Sequence, residues 1–226
     1  MCGRFVSHVD AALEREFQLG RSDWQPDWAN YNVSPSQTIP AVRLQGEQPE
    51  GVLLRWGLVP FWCKGEPPKF STINARVETL AKAASYRAPW RRQQRCLIPA
   101  DGYYEWRQEG GKKQPYYFRL AGGESFAFCG LWDRSVASED NTIESCTVIT
   151  VPANAMVTEI HHKARMPAIL NIDDAMQWLH ADHAQAMGML ATFPADGMDR
   201  YAVSQKVNAP RHNDATLIEP LNDLFS

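Results

Sequence analysis

Cys96-Leu97-Ile98-Pro99-Ala100-Asp101-Gly102-Tyr103-Tyr104-Glu105-Trp106-Arg107 is the stretch from which the fold is read. A short apolar run meets the turn signal Asp101-Gly102 and then becomes an aromatic-rich segment of strand formers. A Gly-Gly-Lys-Lys turn at Gly110 to Lys113 joins it to Pro115 through Leu120, which spells a hairpin. Ser125 to Asp133 and Ile143 to Val151 have the same strand composition, so the chain from Cys96 to about Thr150 reads as successive strands. Glu105 stands among three aromatics, and strand alternation places it on the face opposite Tyr104 and Trp106. A carboxylate held among rings has a raised pKa and exchanges protons near neutrality. A solvent-facing Glu on an amphipathic strand is the other reading of the same pattern.

Toward the N-terminus, Thr38 to Leu44 and Val52 to Trp56 read as strands separated by a polar turn around Gln45 to Gly51. Ser7 with Asp10 resembles a capping box and predicts a helix over Val9 to Leu19 that stops at Gly20. Arg21 to Ser36 reads as loop, with Tyr31-Asn32-Val33-Ser34-Pro35 placed to lie over a cleft. Arg55-Trp56-Gly57-Leu58-Val59-Pro60-Phe61-Trp62 combines aromatics with a nearby cation pair, which suits either a stacking platform for unpaired bases or a Trp-rich core corner. Phe70-Ser71-Thr72-Ile73-Asn74-Ala75-Arg76-Val77-Glu78 sets an amide, a cation and a carboxylate ahead of a helix predicted over Glu78 to Tyr86, ending before Pro89. The cluster Arg91-Arg92-Gln93-Gln94-Arg95 is either a solvated face or a phosphate track.

Toward the C-terminus, Ile160-His161-His162-Lys163-Ala164-Arg165-Met166-Pro167 is a polar loop before a strand. It has no obvious third ligand for a metal, so a catalytic loop fits better. Asp173 or Asp174 caps a helix predicted to reach about Leu190, on which His180 and His183 are read as surface residues, and a last strand is expected near Leu217 to Pro220. Together the elements predict one domain over residues 1–226 of α+β class, with a curved, barrel-like, mainly antiparallel sheet core surrounded by helices.

Composition bounds the function. The 226 residues are 44% hydrophobic and 22% charged with a formal net charge of -3, which excludes a globally basic nucleic-acid coat and confines any polyanion site to a local patch. There is no apolar run of about 18 residues and no charged-then-apolar leader pattern, so no membrane partner is expected. The five cysteines (Cys2, Cys63, Cys96, Cys129 and Cys146) are scattered without a C-x-x-C, which argues against a disulfide framework or zinc ribbon and for a reducing, cytoplasmic setting. Cys96, Cys129 and Cys146 read as buried small hydrophobes.

Met1-Cys2-Gly3-Arg4-Phe5 carries the most specific chemistry. Removal of Met1 would leave an α-amine and a thiol on one residue, and both titrate within reach of neutral pH when unperturbed. An aldehyde meeting that pair forms an imine with the amine, and the sulfur then closes a five-membered thiazolidine. Gly3 leaves room for a substrate and Arg4 offers a cation to an anionic one.

Taken in order, Met1 to Phe5, Tyr31-Asn32-Val33-x-Pro35, Trp56-Gly57-Leu58-Val59-Pro60-x-Trp62 and Ile73-Asn74-Ala75-Arg76-x-Glu78 resemble the SOS response-associated peptidase (SRAP) family of abasic-site processing proteins. The resemblance continues through Cys96 to Trp106, Lys113-Gln114-Pro115-Tyr116, Phe128-Cys129-Gly130-Leu131-Trp132, Val148-Ile149-Thr150, Ile160-His161, Arg165-Met166-Pro167 and Val203-Ser204-x-x-Val207-Asn208. It implies capture of ring-opened abasic sites in single-stranded DNA as a thiazolidine on Cys2, with Asn74, Glu105 and His161 as the other catalytic residues. It also implies DNA contacts at Gly3, Arg4, Pro35, Trp62, Arg76, Thr150 and Arg165, no metal or cofactor, and a monomer that associates with the nucleoid when acting on DNA. The interval from His161 to Arg165-Met166-Pro167 is longer than the family pattern. Counting forward from Thr150 favours His161 as the active histidine, with His162 the alternative. Two other functions fit the residues less fully: a thiol peptidase using Cys2 with Glu105 or His161, acting on other proteins or only on Met1, and a non-catalytic reader of modified bases.

Overall fold

The computed structural model describes residues 2–138, 140–161 and 163–221, except the side chains at 109 and 112. In chain order the elements are β1 (Phe5–Val9), α1 (Ala11–Glu16), β2 (Arg21–Ser22), β3 (Trp28–Val33), β4 (Thr38–Gln45), β5 (Gln48–Trp56), β6 (Asn74–Arg76) and α2 (Arg87–Arg91). They continue with β7 (Arg95–Ala100), β8 (Gly102–Glu109), β9 (Lys112–Leu120), β10 (Phe126–Ser138), β11 (Asn141–Pro152) and α3 (Ala155–Thr158). The last are β12 (Arg165–Pro167), β13 (Ile169–Asn171), α4 (Ile172–His180), α5 (His183–Met189) and β14 (Met198–Ala202).

Strands β5, β4, β7, β10 and β11 pair in that order, and β11 returns to β5 in parallel through Ser145↔Arg55 and Cys146↔Trp56, which closes a five-stranded barrel. Closure leaves no open edge among these five strands. The fold is therefore of the α+β, barrel-like kind that the strand pattern predicted. Length makes it possible, because β11 spans twelve residues and reaches β10, β5, β6 and β12 along its course. The barrel interior is the main core, built on fully buried Trp56, Phe126, Phe128, Leu54 and Ile39, with Cys96, Cys129 and Cys146 filling small gaps as expected.

A second sheet, ordered β14-β9-β8-β1-β3, lies against the barrel. Its two faces are both covered. Phe5 and Tyr103 turn into the main core, where Phe5 meets Trp56 and Phe128 edge-on at centroid distances of 5.0 and 5.5 Å. Val6 and Tyr104 turn the other way, into a smaller core with Tyr117, Val203, Val207 and Leu217. The solvent-facing alternative for Glu105 is overturned, because by strand alternation Glu105 shares the face of Tyr103, which turns into the main core, and it is only 3% exposed.

Several boundaries differ from the sequence expectation for identifiable reasons. Ser7 is a buried strand residue, and Asp10 caps the first helix by accepting from the Ala12 and Leu13 N–H groups at 2.9 and 2.8 Å, so the helix is short and ends at Glu16. The helix expected over Glu78 to Tyr86 is a 3-10 turn at Val77–Thr79 followed by turns, and the true helix α2 contains Pro89. Pro89 is its third residue, where an N–H has no intrahelical acceptor to lose. The single helix expected to Leu190 is two, broken at extended Ala181 and restarted by a capping box between Asp182 and Gln185. The expected last strand is a 3-10 turn at Ala215–Ile218 capped by Asp214, leaving one isolated bridge between Val203 and Pro220.

Gly102 marks the corner where the chain leaves the barrel and enters the second sheet. A Cβ there would lie 2.3 Å from the Tyr117 ring and 2.5 Å from the Phe118 carbonyl oxygen. Gly102→Ala is expected to lower stability in urea unfolding by about 1–3 kcal/mol, the usual cost of overpacking a filled site. A variant as stable as the parent would show that this corner is not close-packed.

Candidate active site

The opening residues are anchored rather than frayed. Cys2 is fully buried, its carbonyl accepts from Asn74 Nδ2 at 2.7 Å, and its Sγ leans on the Arg4 carbonyl at 3.8 Å. That Arg4 carbonyl is itself fixed by the Tyr104 N–H at 3.0 Å, one residue before Glu105. Asn74 opens β6, which runs parallel to β11 with Asn74 beside Val148, and its own carbonyl accepts from the Tyr86 hydroxyl at 3.0 Å. The N-terminal cysteine is thus positioned by contacts from three distant parts of the chain.

Glu105 arrives from β8 and His161 from the turn after α3, where the His161 N–H is bonded to the Val157 carbonyl at 2.8 Å. The two side chains are both buried, with His161 Nε2 3.9 Å from Glu105 Oε2. That separation is too long for a direct hydrogen bond. His161 Nδ1 lies 3.1 Å from the Arg165 carbonyl, which can only accept, so this geometry assigns the proton to Nδ1 and turns the Nε2 lone pair toward Glu105.

Burial sets the protonation states. It pushes the Glu105 carboxyl up to about 7, far from its ordinary 4.5. Burial also pushes the Cys2 thiol well up, and the nearby Glu105 carboxylate adds to the rise. The expectation that this thiol is partly ionised at neutral pH is therefore corrected: desolvation keeps Sγ protonated until a base removes the proton. Tyr103, also fully buried, is held as the neutral phenol first by desolvation and then by Glu105 and Cys2.

The site opens into a pocket of about 580 Å³ lined by Gly3, Arg4, Glu105, Trp106, His161 and Asn208 among others. Of the residues singled out from the sequence, Cys2, Gly3, Arg4, Asn74, Glu105 and His161 come together here. Arg76 is exposed on β6, two residues beyond Asn74. Thr150 is fully buried with its hydroxyl donated to the Ala75 carbonyl at 3.4 Å. Arg165 is largely buried and gives its guanidinium to both oxygens of Glu78 and to the Thr150 carbonyl. Pro35 is exposed and Trp62 is 44% exposed, and both stand outside the pocket lining. His162 and Met1 lie outside the described residues.

Trp56 takes the core-corner reading, and Arg95 departs from the exposed cluster expected of it. Trp56 is a fully buried core residue that donates its Nε1–H to the Ile73 carbonyl at 3.0 Å, which leaves Phe61 and Trp62 as the exposed aromatics of that stretch. Arg95 is 3% exposed and spends its guanidinium on the Ala181 carbonyl, while Arg92 covers the Phe61 ring at 4.6 Å. Arg4 is half-buried, and its Nη1 donates to Asn32 Oδ1 at 2.7 Å and the Val207 carbonyl at 2.8 Å. Desolvation lowers the Arg4 pKa. Sequence reasoning gave no role to the bond from Trp106 Nε1 to Asn208 Oδ1 at 2.7 Å, which builds one wall of the pocket from residues 102 positions apart. No local pattern signals a pairing at that distance. Among the described residues, no three or more His, Cys, Asp or Glu side chains gather as a metal site. Among the described residues, no helix is long and apolar enough to cross a membrane.

Comparison with known proteins supplies the family. The model of the SOS response associated peptidase (SRAP) family matches residues 1–210. The abasic site processing protein YoqW of Bacillus subtilis (strain 168) is 38% identical over 228 residues, covering 97% of this chain and 99% of that protein. The abasic site processing protein HMCES of Gallus gallus is 32% identical over 267 residues, covering 98% of this chain and 78% of that protein. An X-ray structure of a protein from Bacteroides thetaiotaomicron superimposes with a TM-score of 0.78 at 28% identity, over 96% of this chain and 99% of that one. Another from Bordetella bronchiseptica gives 0.75 at 29% identity, over 90% and 100%. With its sequence matched from the first residue and its architecture shared along almost the whole length, the chain belongs to the SRAP family.

Proposed function

We propose that this protein captures abasic sites in single-stranded DNA by forming a thiazolidine between Cys2 and the ring-opened sugar, once Met1 has been removed. The observation that carries the reading is the fixed N-terminal cysteine, its carbonyl held by Asn74, beside a buried carboxyl that titrates near 7 and at the edge of an open pocket. The names of the relatives, abasic site processing proteins, support the substrate class.

The chemistry balances without a cofactor. The Cys2 α-amine adds to the sugar aldehyde carbon, and the resulting carbinolamine loses water to give an imine. Glu105 in its neutral form donates the proton that lets hydroxide leave as water. The imine so formed carries its proton on nitrogen; the Glu105 carboxylate removes the proton from Sγ, sulfur adds to the imine carbon, the C=N electron pair returns to nitrogen, and Glu105 ends neutral as it began. Amine, thiol and aldehyde become thiazolidine and water. His161, with its Nε2 lone pair turned toward Glu105, assists sugar ring opening by taking the hydroxyl proton. Asn74 holds the backbone of Cys2, which fixes the approach angle of both nucleophiles.

The DNA contacts divide by exposure. Arg76 is placed to hold a phosphate next to the site, and Trp62 and Pro35 offer exposed surface to flanking nucleotides. Arg4, Thr150 and Arg165 act from beneath by holding the walls. An abasic nucleotide has no base to unstack, so turning its sugar into the pocket costs little. Glu105 is also the group placed to assist removal of Met1. A general thiol peptidase is the weaker reading, because it gives the exposed Arg76 and Trp62 nothing to do.

Met-trimmed protein incubated with single-stranded DNA carrying one abasic site is expected to give a heat-stable shifted band on a denaturing gel, and Cys2→Ala is expected to give none. Absence of the band with a verified N-terminal cysteine would refute the proposal.

Glu105→Gln is expected to slow cross-linking by about 10²-fold or more, the usual scale for losing a general acid–base. The same variant reports on burial. Because the folded-state pKa of about 7 lies above the ordinary 4.5, the native state keeps a proton that the unfolded chain has lost between those values. Glu105 therefore makes the protein less stable as pH rises through that window. Glu105→Gln should gain stability over the parent between about pH 5 and about pH 8, by at most about 3 kcal/mol. An equal stability difference at both pH values would contradict the raised pKa.

Arg76→Ala should weaken binding to undamaged single strands and reduce the dependence of log affinity on log salt by about one counterion. An unchanged slope would remove Arg76 from the phosphate contacts.

A further inference from the structure

Asn74 and His161 reach the site from opposite edges of one strand. Asn74 opens β6, which pairs with β11 through Val148↔Asn74 and Thr150↔Arg76. Arg165, whose carbonyl receives the His161 imidazole, opens β12, which pairs with β11 through Thr150↔Pro167 and Pro152↔Arg165. Glu78 stands two residues past the end of β6. Its carboxylate takes both terminal nitrogens of Arg165: Nη1 in a very close contact with Oε1, and Nη2 with Oε2 at 3.1 Å. The same Nη2 donates to the Thr150 carbonyl at 2.5 Å and lies 3.3 Å from Thr150 Oγ1, which in turn donates to the Ala75 carbonyl at 3.4 Å. One guanidinium thereby fastens β6, β11 and β12 together.

We infer that Glu78 is a positioning residue: by fixing the Arg165 guanidinium it sets where the Arg165 carbonyl stands, and so the orientation and tautomer of His161. The activity readout of this inference rests on the abasic-site reading; its spectroscopic readout does not. The turn that carries His161 is short, with Ala164 in a left-handed conformation (φ 47°) and its N–H bonded back to the His161 carbonyl at 2.8 Å. A turn of this kind has little rigidity of its own, and its downstream end is the residue that Glu78 holds. The Arg165 side chain is 11% exposed and that of Glu78 is 51% exposed, so the ion pair is formed by a carboxylate at the surface reaching inward to a largely buried cation. The charge-assisted bond from Arg165 holds the Glu78 carboxyl below its ordinary pKa, so the pair is intact at neutral pH.

The competing role for Arg165 is a phosphate hook that lets go of Glu78 when DNA arrives. The two roles predict opposite effects of removing the carboxylate. In Glu78→Gln a hook would be freed, and affinity for undamaged single-stranded DNA would rise. A positioning role leaves that affinity unchanged and slows cross-linking to an abasic strand by about 10–100-fold, the scale of a misplaced catalytic group. Glu78→Asp, which keeps the charge, should recover part of the rate. Independently of DNA, nitrogen NMR of the His161 ring should report the Nδ1–H tautomer in the parent and a mixture of tautomers in Glu78→Gln. An unchanged ring signal in Glu78→Gln, or tighter DNA binding with an unchanged rate, would overturn the inference. If the parent itself forms no cross-link, the capture proposal fails while the ring signal still decides the role of Glu78.

Discussion

The site depends on a carboxylate that the fold keeps away from water. Glu105 sits on a strand whose two faces are both packed, one against the barrel core and the other against the smaller core around Tyr104 and Tyr117. Desolvation raises the pKa of this group to about 7, and burial of the neighbouring Cys2 thiol and Tyr103 phenol, with the Glu105 charge adding to it, holds both in their neutral forms. Burying a carboxyl costs stability, and the hydrophobic burial of the surrounding aromatics offsets that cost. The result is an acid and a base in one side chain near neutral pH, which suits the addition and dehydration steps of the proposed capture reaction.

A second constraint acts on the chain terminus. First residues of a domain are usually poorly ordered unless something ties them down. Here Phe5 is wedged edge-on between Trp56 and Phe128, β1 is paired on both sides, and Asn74 holds the Cys2 carbonyl. Reacting groups at a free terminus would pay for their own ordering in the transition state. In the proposed capture reaction, anchoring Cys2 in the ground state would remove that entropy loss.

The arginines show how a charge near a motif acquires its role. Arg4, Arg95 and Arg165 all donate to backbone carbonyls inside the protein, at Val207, Ala181 and Thr150. A guanidinium presents a planar fork of donors, so it can brace several loops at once where a lysine could not. Arg4 holds the turn that carries Asn208, and Asn208 in turn holds Trp106 over the pocket. Arg165 holds the strand beside His161. Arg76, by contrast, stands exposed on β6.

Local pattern was enough for the strand-rich α+β class and the hairpin at Gly110 to Lys113, whereas Cys2, Asn74, Glu105 and His161 stood out as a set only through the resemblance to the SRAP family. Turn chemistry, alternation and the unique reactivity of an N-terminal cysteine are short-range properties, and they are written in adjacent residues. Helix limits were less legible where a cap outside the expected place won, as at Asp10 and Asp182. For Glu105 and Trp56 the sequence left burial and exposure both open, and the protonated thiol of Cys2 and the inward use of Arg4 and Arg165 could not be read from the chain. Each depends on which distant segment covers which face, and hence on the closing pair of β5 with β11 and the second core beneath β8. The sequence by itself determined which chemical groups are present and which strands carry them. Only the tertiary structure decided which of those groups lose water, because desolvation is a property of all the neighbours a residue has in space.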